Sequence, residues 1–532
     1  MFPWGTLAVG VVGATALALL RGHLTRNGRL AARPGGAAHA DHRRWHVRDV
    51  SLVLVFVFAA LALRLWNLEA SVIDNDEPAS FGFTGFESWA RESDARLHPP
   101  LSPLLMSAAF SARALMSDAR SVSVVAGILT VVLVFAALRP HGRTTAPLAA
   151  AFAAFSPAML HASQLARGYA LAAALVLGTH VLLSRALRHG SHAAWIAYTA
   201  VGTLSLFTEY VTLVPICVEA VLVLASRSSK RAARLGVVTS LGSMLAISAC
   251  FVPFALSTFH LGVGGPPRAP DGPWPALRQG LEMFGGAGGA ALGAIGVLLP
   301  LVVLRAPSSS NAARAAAWRA GVATLCGVAL LAVGGLITAM RARYVLPVLP
   351  LLIVACAAAA SPGAARLAHS GVARTLALAR RLGALAMLGA ALLFLSHAAL
   401  LPCYLRQSCA ASEIARGTPL SATLAGLQRH PRAPVVVVPS WSIAEPCYRL
   451  IHKFPGRDSR RDCPARLCVE NDQRAMFGLD ADEFDARFPK LRAELGRVFV
   501  LVRGQAVAGP PSCSLDGHDE SARLYRCEAP EQ

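Results

Sequence analysis

The residue types that could do chemistry sit in a polar island between two apolar runs. It reads Ile73-Asp74-Asn75-Asp76-Glu77-Pro78 and is followed by His98-Pro99-Pro100-Leu101. Adjacent carboxylates suit proton abstraction, and acids elsewhere are scattered among Leu, Ala and Val. An acidic cluster beside a bilayer is costly to desolvate, which makes this one a candidate active site. A plainer reading competes: Asp-Glu-Pro is also a common helix start, with Asp as the cap and Pro in the first turn.

These residues must be positioned by membrane helices. Hydrophobic residues make up 55% of the 532, charged residues only 15%, and the mean hydropathy is +0.50, a composition that excludes a soluble globule. The net charge of +20 and pI near 10.4 come from Arg in short loops between apolar segments. That placement speaks for topology signals and anionic lipid, and against nucleic acid.

Windows able to cross about 30 Å of hydrocarbon lie near 4–21, 49–66, 120–138, 145–161, 169–185, 193–208, 211–226, 235–257, 287–304, 321–339, 345–361 and 382–401. The expected fold is therefore a polytopic α-helical membrane protein of about twelve transmembrane helices. Arg21, Arg26, Arg29, Arg33, Arg43, Arg44 and Arg48 face a single Asp in one loop, which places that loop in the cytoplasm. Every second loop after it is basic in turn, from Arg139 to Arg143, Arg185 to Arg188, Arg227 to Arg234, Arg305 to Arg319 and Arg366 to Arg381. The opposite set, outside, holds Asp74 to His98, Gln164 to Tyr169, Thr208 to Tyr210, Thr258 to Arg278, Met340 to Tyr344 and the tail. Counting Leu101 to Met116 as a span would invert all later loops, so it is expected to lie in the outer leaflet or only partly enter it. The run from Pro3 to Leu20 lacks a basic leader and an Ala-x-Ala site, and reads as an extra transmembrane helix rather than a removed signal.

Three regions follow: 1–48 as that helix with its basic cytoplasmic loop, 49–400 as the transmembrane domain with its first outer loop at 67–119, and 401–532 as a soluble extracytoplasmic domain. In the tail, Val435 to Val438 and Val498 to Val502 read as buried strands and Asp480 to Leu495 as a helix, giving a small α/β domain. Cys217, Cys250, Cys326 and Cys356 stand singly in apolar spans, while Cys403, Cys409, Cys447, Cys463, Cys468, Cys513 and Cys527 crowd the tail. That density favours disulfides in an oxidising compartment. The odd count leaves one thiol over, with Cys403 the candidate. Zinc is the weaker alternative, because Cys463 and Cys468 have no partner pair at finger spacing.

Four stretches in order carry a resemblance: Asp76-Glu77, His98-Pro99-Pro100-Leu101, Ser163-Gln164-Leu165-Ala166-Arg167-Gly168-Tyr169-Ala170-Leu171 and Arg343-Tyr344-Val345-Leu346-Pro347. Together, over about residues 50 to 360, the chain resembles the polyprenyl-phosphate-sugar-dependent glycosyltransferases of the GT-C superfamily. The branch is the one with protein O-mannosyltransferase-like, aminoarabinose-transferase-like and rhizobial lipopolysaccharide-core-transferase-like proteins. The resemblance implies transfer of a hexose or pentose from a lipid-linked sugar phosphate to a lipid, glycan or protein acceptor, at the outer face of a bacterial inner membrane. It implies Asp76 as the base that deprotonates the acceptor, with Glu77 orienting the acceptor or Asp76. Asp74 is a further substrate-binding candidate. His98, Arg167 and Arg343 would hold the lipid phosphate, Arg being suited to bidentate contact. Tyr169 and Tyr344 join the substrate-binding candidates, or else anchor at the membrane interface.

The plain readings are snorkelling for Arg167 and Arg343, a turn residue for His98, and a solvated loop tip, slightly preferred, for Glu209. One departure stands out: relatives commonly read Ser-Gln-Glu-Ala-Arg-x-Tyr, and Leu165 here takes the place of that acid. A Gly-rich phosphate loop, an Asp-x-Asp nucleotide-sugar motif and a metal-spaced His/Cys cluster are all missing from the sequence. The sequence shows no required cofactor, and a divalent metal stays open without support. Two alternatives stay open: a transporter or flippase, which would want paired acids and bases in the spans, Glu219 being the main in-span acid, and a catalytically silent relative with the tail as a binding module.

Overall fold

A computed structural model describes residues 47–66, 68, 77, 99–110, 115–142, 144–226, 229–249, 273–304, 312–334, 342–361, 373–406, 427, 429, 434–438, 466–470, 474–478, 481–495, 497–503, 513–519 and 522–528. The chain divides into two units, Met1–Leu68 with Phe83–Leu405, and Glu69–Gly82 with Arg406–Gln532.

The first unit is a helical bundle. Its early helices are α1 (Val47–Leu65), α2 (Leu101–Phe110), α3 (Met116–Leu138), α4 (Thr145–Phe155), α5 (Pro157–Gln164), α6 (Tyr169–His189), α7 (His192–Leu206) and α8 (Leu213–Ala225). Then come α9 (Arg231–Ser248), α10 (Pro273–Gly285), α11 (Gly289–Leu304), α12 (Ala312–Gly334), α13 (Leu349–Ala359) and α14 (Ala373–Arg406). Among the described residues, four helical stretches are long and apolar enough to cross a membrane: Met116–His141, Tyr169–His189, Pro273–Leu304 and Ala384–Pro402. The bent pair α4 and α5 makes a fifth if it is one span. The windows at 49–66, 211–226 and 345–361 form shorter apolar helices, and the window at 4–21 lies outside the described residues. Helix α2 has ten residues, about 15 Å at the usual rise, too short to cross. Helix α3, apolar all round after Ser123 apart from Thr130, packs against α1, α2, α4 and α6.

A proline break shapes the neighbourhood of the Ser163–Leu171 motif. Pro157 has no N–H and pushes Ser156 to an extended conformation (φ −63°, ψ 120°), so α4 ends and α5 leaves at 53°. The break leaves the Ala153 and Ala154 carbonyls without helix donors. Arg64, reaching in from the end of α1, donates to both, at 3.3 and 3.2 Å, and its Nε donates to Ser163 Oγ at 3.1 Å. Gly127 on α3 makes room for this, since a Cβ there would meet Ser163 and lie 2.6 Å from Arg64 Nε. Gln164 then caps α1: its Nε2 donates to the carbonyls of Leu63, Arg64 and Trp66 at 3.1, 3.0 and 3.1 Å. Tyr404 Oη on α14 donates to Gln164 Oε1 at 2.6 Å. The first two motif residues thus tie α1, α5 and α14 together.

Deeper in the bundle, His180 Nδ1 on α6 and Glu219 Oε1 on α8 share a hydrogen bond of 2.5 Å with both side chains buried. Arg319 Nη2 on α12 donates nearby on α6, to Ser184 Oγ at 3.3 Å.

The second unit holds strands β1 (Val435–Val438), β2 (Arg466–Glu470), β3 (Arg474–Gly478), β4 (Val498–Arg503), β5 (Cys513–Asp519) and β6 (Ala522–Cys527), with α15 (Ala481–Leu495). They form one sheet of order β2-β3-β1-β4-β6-β5, in which β1 runs parallel to β3 and β4 while the outer pairings are antiparallel. The four-valine run of β1 fits its place between two parallel neighbours. Alternate residues Val498, Val500 and Val502 pack with Phe484 and Phe488 of α15, whose rings stack 4.7 Å apart. Cys513 and Cys527, opposed on β5 and β6, form a disulfide. The remaining tail cysteines lie outside the described side chains, and the in-span Cys217, Cys326 and Cys356 are free thiols.

Candidate active site

The turn between α5 and α6 carries Arg167, Gly168 and Tyr169. Ser123 Oγ on α3 donates to the Arg167 carbonyl at 3.1 Å, which fixes the turn against the central helix. Tyr169 begins α6 with its side chain 1% exposed. Arg343 and Tyr344 come from the 3-10 segment Ala342–Val348, which packs on α6.

These elements bring four of the sequence candidates to one ring. The guanidinium carbons of Arg167 and Arg343 lie 5.7 and 5.8 Å from the Tyr169 centroid. Arg167 Nη2 also donates to Tyr169 Oη at 3.4 Å. The Tyr344 ring meets Tyr169 edge-on at 6.2 Å and 76°. Arg167 is 4% exposed and Arg343 7%. Arg167, Tyr169 and Arg343 are all buried within the helical unit, where the 3-10 segment packs on α6, and so do not face lipid. Two buried guanidinium groups beside one ring are costly to desolvate, and the ring contributes about 0.5–2 kcal/mol towards each. An anion within reach of both guanidinium groups would be bound by charge-assisted contacts.

Glu209 also departs from its expected place as a solvated tip. The turn after α7 is clamped, with Thr212 N and Oγ1 donating to the Glu209 carbonyl at 3.2 and 2.8 Å. Leu101 N, at the start of α2, donates to the Phe207 carbonyl at 2.9 Å. This docking leaves Glu209 5% exposed. A Cβ added at Gly168 would lie 2.7 Å from Glu209 Oε1 and 3.2 Å from Ser102 Oγ, so the carboxylate lies against the Gly168 backbone. Glu209, Arg167, Arg343 and Tyr344 all act electrostatically on the Tyr169 hydroxyl. Leu165, the departure from the motif, is buried and apolar.

Of the first-loop candidates, Glu77 is fully buried, in the second unit. Asp74, Asp76 and His98 lie outside the described residues. The sequence reading gave no role to Arg64, whose only signal was a basic residue at the end of a span, or to Arg120, which is buried and donates to the Leu68 carbonyl at 2.6 Å. Among the described residues, no group of three or more His, Cys, Asp or Glu side chains could hold a metal ion.

The structure is similar to the crystal structure of ArnT from Cupriavidus metallidurans in the apo state, with a TM-score of 0.55 at 15% identity over 90% of this chain and 98% of that one. The ArnT structure bound to undecaprenyl phosphate gives 0.53 at the same identity and coverage. This is the GT-C fold. The apo oligosaccharyltransferase of Archaeoglobus fulgidus aligns more loosely, with a TM-score of 0.43 at 12% identity over 85% of this chain and 69% of that one. No protein-family model and no curated protein matches the chain by sequence. Within the GT-C fold, the two arginines, the two tyrosines and Glu209 come from the turns that open α6, precede α8 and lead into α13.

Proposed function

We propose that this chain is a membrane glycosyltransferase that moves a sugar from a polyprenyl-phosphate donor to a lipid, glycan or protein acceptor at the outer face of the inner membrane. The observation that carries the reading is the buried pair Arg167 and Arg343 on the Tyr169 ring, an anion seat within a GT-C fold. An ArnT of the same fold was crystallised bound to undecaprenyl phosphate, which supports a lipid phosphate as the anion here. About twelve spans would carry this seat outward, with the 401–532 domain on the same side.

In this reading Asp76 takes the proton of the acceptor hydroxyl while Glu77 orients it, and the freed oxygen attacks the anomeric carbon. The bond from that carbon to the phosphate oxygen breaks, and the lipid phosphate leaves with one more negative charge than it had in the donor. Arg167 and Arg343 hold that growing charge more tightly than the donor's single charge, which lowers the barrier. Asp74 and His98 complete the substrate contacts, and Tyr344 supports Tyr169. Purified protein incubated with radiolabelled polyprenyl-phosphate sugars and membrane extract should move label to an acceptor. Absence of transfer across the panel would defeat the reading.

A transporter is the second reading, favoured by the in-span pair His180 and Glu219. It requires movement of lipid-linked sugar across reconstituted vesicles without new glycosidic bonds, whereas the transferase forms bonds on one side.

A further inference from the structure

We propose that Glu209 is a specificity-determining residue of the phosphate seat, biasing it towards a lipid monophosphate and against a lipid diphosphate. The inference rests on the lipid-phosphate reading above and adds a residue that reading does not use. Arg167 and Arg343 bring two positive charges to Tyr169, and Glu209 brings one negative charge to the same turn. The carboxylate is too deeply buried for water to screen it, so it subtracts one unit from the field that a bound phosphate feels. A sugar linked through one phosphate diester carries one negative charge. A sugar linked through a diphosphate carries two, so the field of the Glu209 carboxylate takes more from diphosphate binding than from monophosphate binding.

Gly168 is what admits this carboxylate. Its φ of −65° suits any residue, so backbone conformation does not demand glycine here. Space does: an added Cβ would sit 2.7 Å from Glu209 Oε1. Gly168→Ala therefore displaces the carboxylate while leaving every charge in the chain, and Glu209→Gln removes the charge while keeping the shape.

Binding of undecaprenyl phosphate and undecaprenyl diphosphate to the full chain in lipid nanodiscs tests this. Relative to Glu209→Gln, the parental protein should favour the monophosphate by about tenfold in the ratio of the two affinities, since one unit charge at this burial is worth about one decade. Glu209→Gln should shrink that ratio by about tenfold, mainly by tightening the diphosphate. Gly168→Ala should shift the ratio in the same direction, and Glu209→Asp should keep it near parental. Should Glu209→Gln not fold, Gly168→Ala reads the same ratio. A purely structural Glu209 would weaken both lipids together and leave the ratio unchanged, which would overturn the inference while the donor reading stands. If the parental protein binds neither lipid, the donor reading fails and takes the inference with it.

Discussion

Replacing Arg343 by Ala should weaken lipid-phosphate binding, apart from any change in fold stability. Arg343 is nearly fully buried at a ring that already carries Arg167. Its removal forfeits one charge-assisted contact with the phosphate, about 1.5–3 kcal/mol, or roughly 10- to 150-fold in Kd. In the unliganded protein the substitution also removes a cation–π contact worth about 0.5–2 kcal/mol. Thermal unfolding with and without undecaprenyl phosphate separates the two effects. At a ligand concentration of about 100 times the parental Kd, the parent should gain about 2.7 kcal/mol, and a variant bound about 30-fold more weakly only about 0.9 kcal/mol. Arg343→Lys should recover part of the gain, keeping the charge but losing the planar fork. A parental ligand shift in Arg343→Ala would refute the idea that this guanidinium seats the phosphate.

Asp76→Asn should lower sugar transfer by about a hundredfold or more while lipid-phosphate binding survives; normal transfer in it, with loss in Asp74→Asn or Glu77→Gln, would reassign the base. Arg64→Met strips the donors from the Ala153 and Ala154 carbonyls and should destabilise the bundle by about 3 kcal/mol in denaturant unfolding, with no change meaning that the proline break holds itself. Reporter fusions after Leu401 should be active as periplasmic alkaline phosphatase and dark as cytoplasmic reporters, and the reverse pattern would put the tail on the wrong side. Changing Cys513 and Cys527 together to Ala opens a bridge between residues 14 apart and should cost the tail unit about 3 kcal/mol; mass mapping without reductant that finds both thiols alkylatable would remove the basis for that loss.

Motif order makes part of this arrangement legible in the sequence. Arg167, Tyr169, Arg343 and Tyr344 are visible as residues because their neighbours form recognisable runs, and the structure brings them to one ring. Their burial was harder to read. It depends on the Ala342–Val348 segment folding onto a helix that starts more than 170 positions earlier. Glu209 was misread for the same reason: a Thr-Glu-Tyr turn looks solvated until Gly168 and Ser102, from two other elements, close around it. Arg64 reads as the basic end of a span, and nothing in local spacing ties it to carbonyls freed by Pro157 some 90 residues later. Pro157 also breaks the window at 145–161 that hydropathy alone counts as one span, since a window average cannot see one missing N–H.

The central claim is that Arg167 and Arg343 together hold the phosphate of a lipid-linked donor. An electron cryo-microscopy map of the full chain with undecaprenyl phosphate tests it most directly. The account predicts phosphate density at the Tyr169 ring, with oxygens about 2.7–2.9 Å from nitrogens of both guanidinium groups. Density seated elsewhere in the bundle, with both arginines still packed on Tyr169 and touching no phosphate, would contradict it.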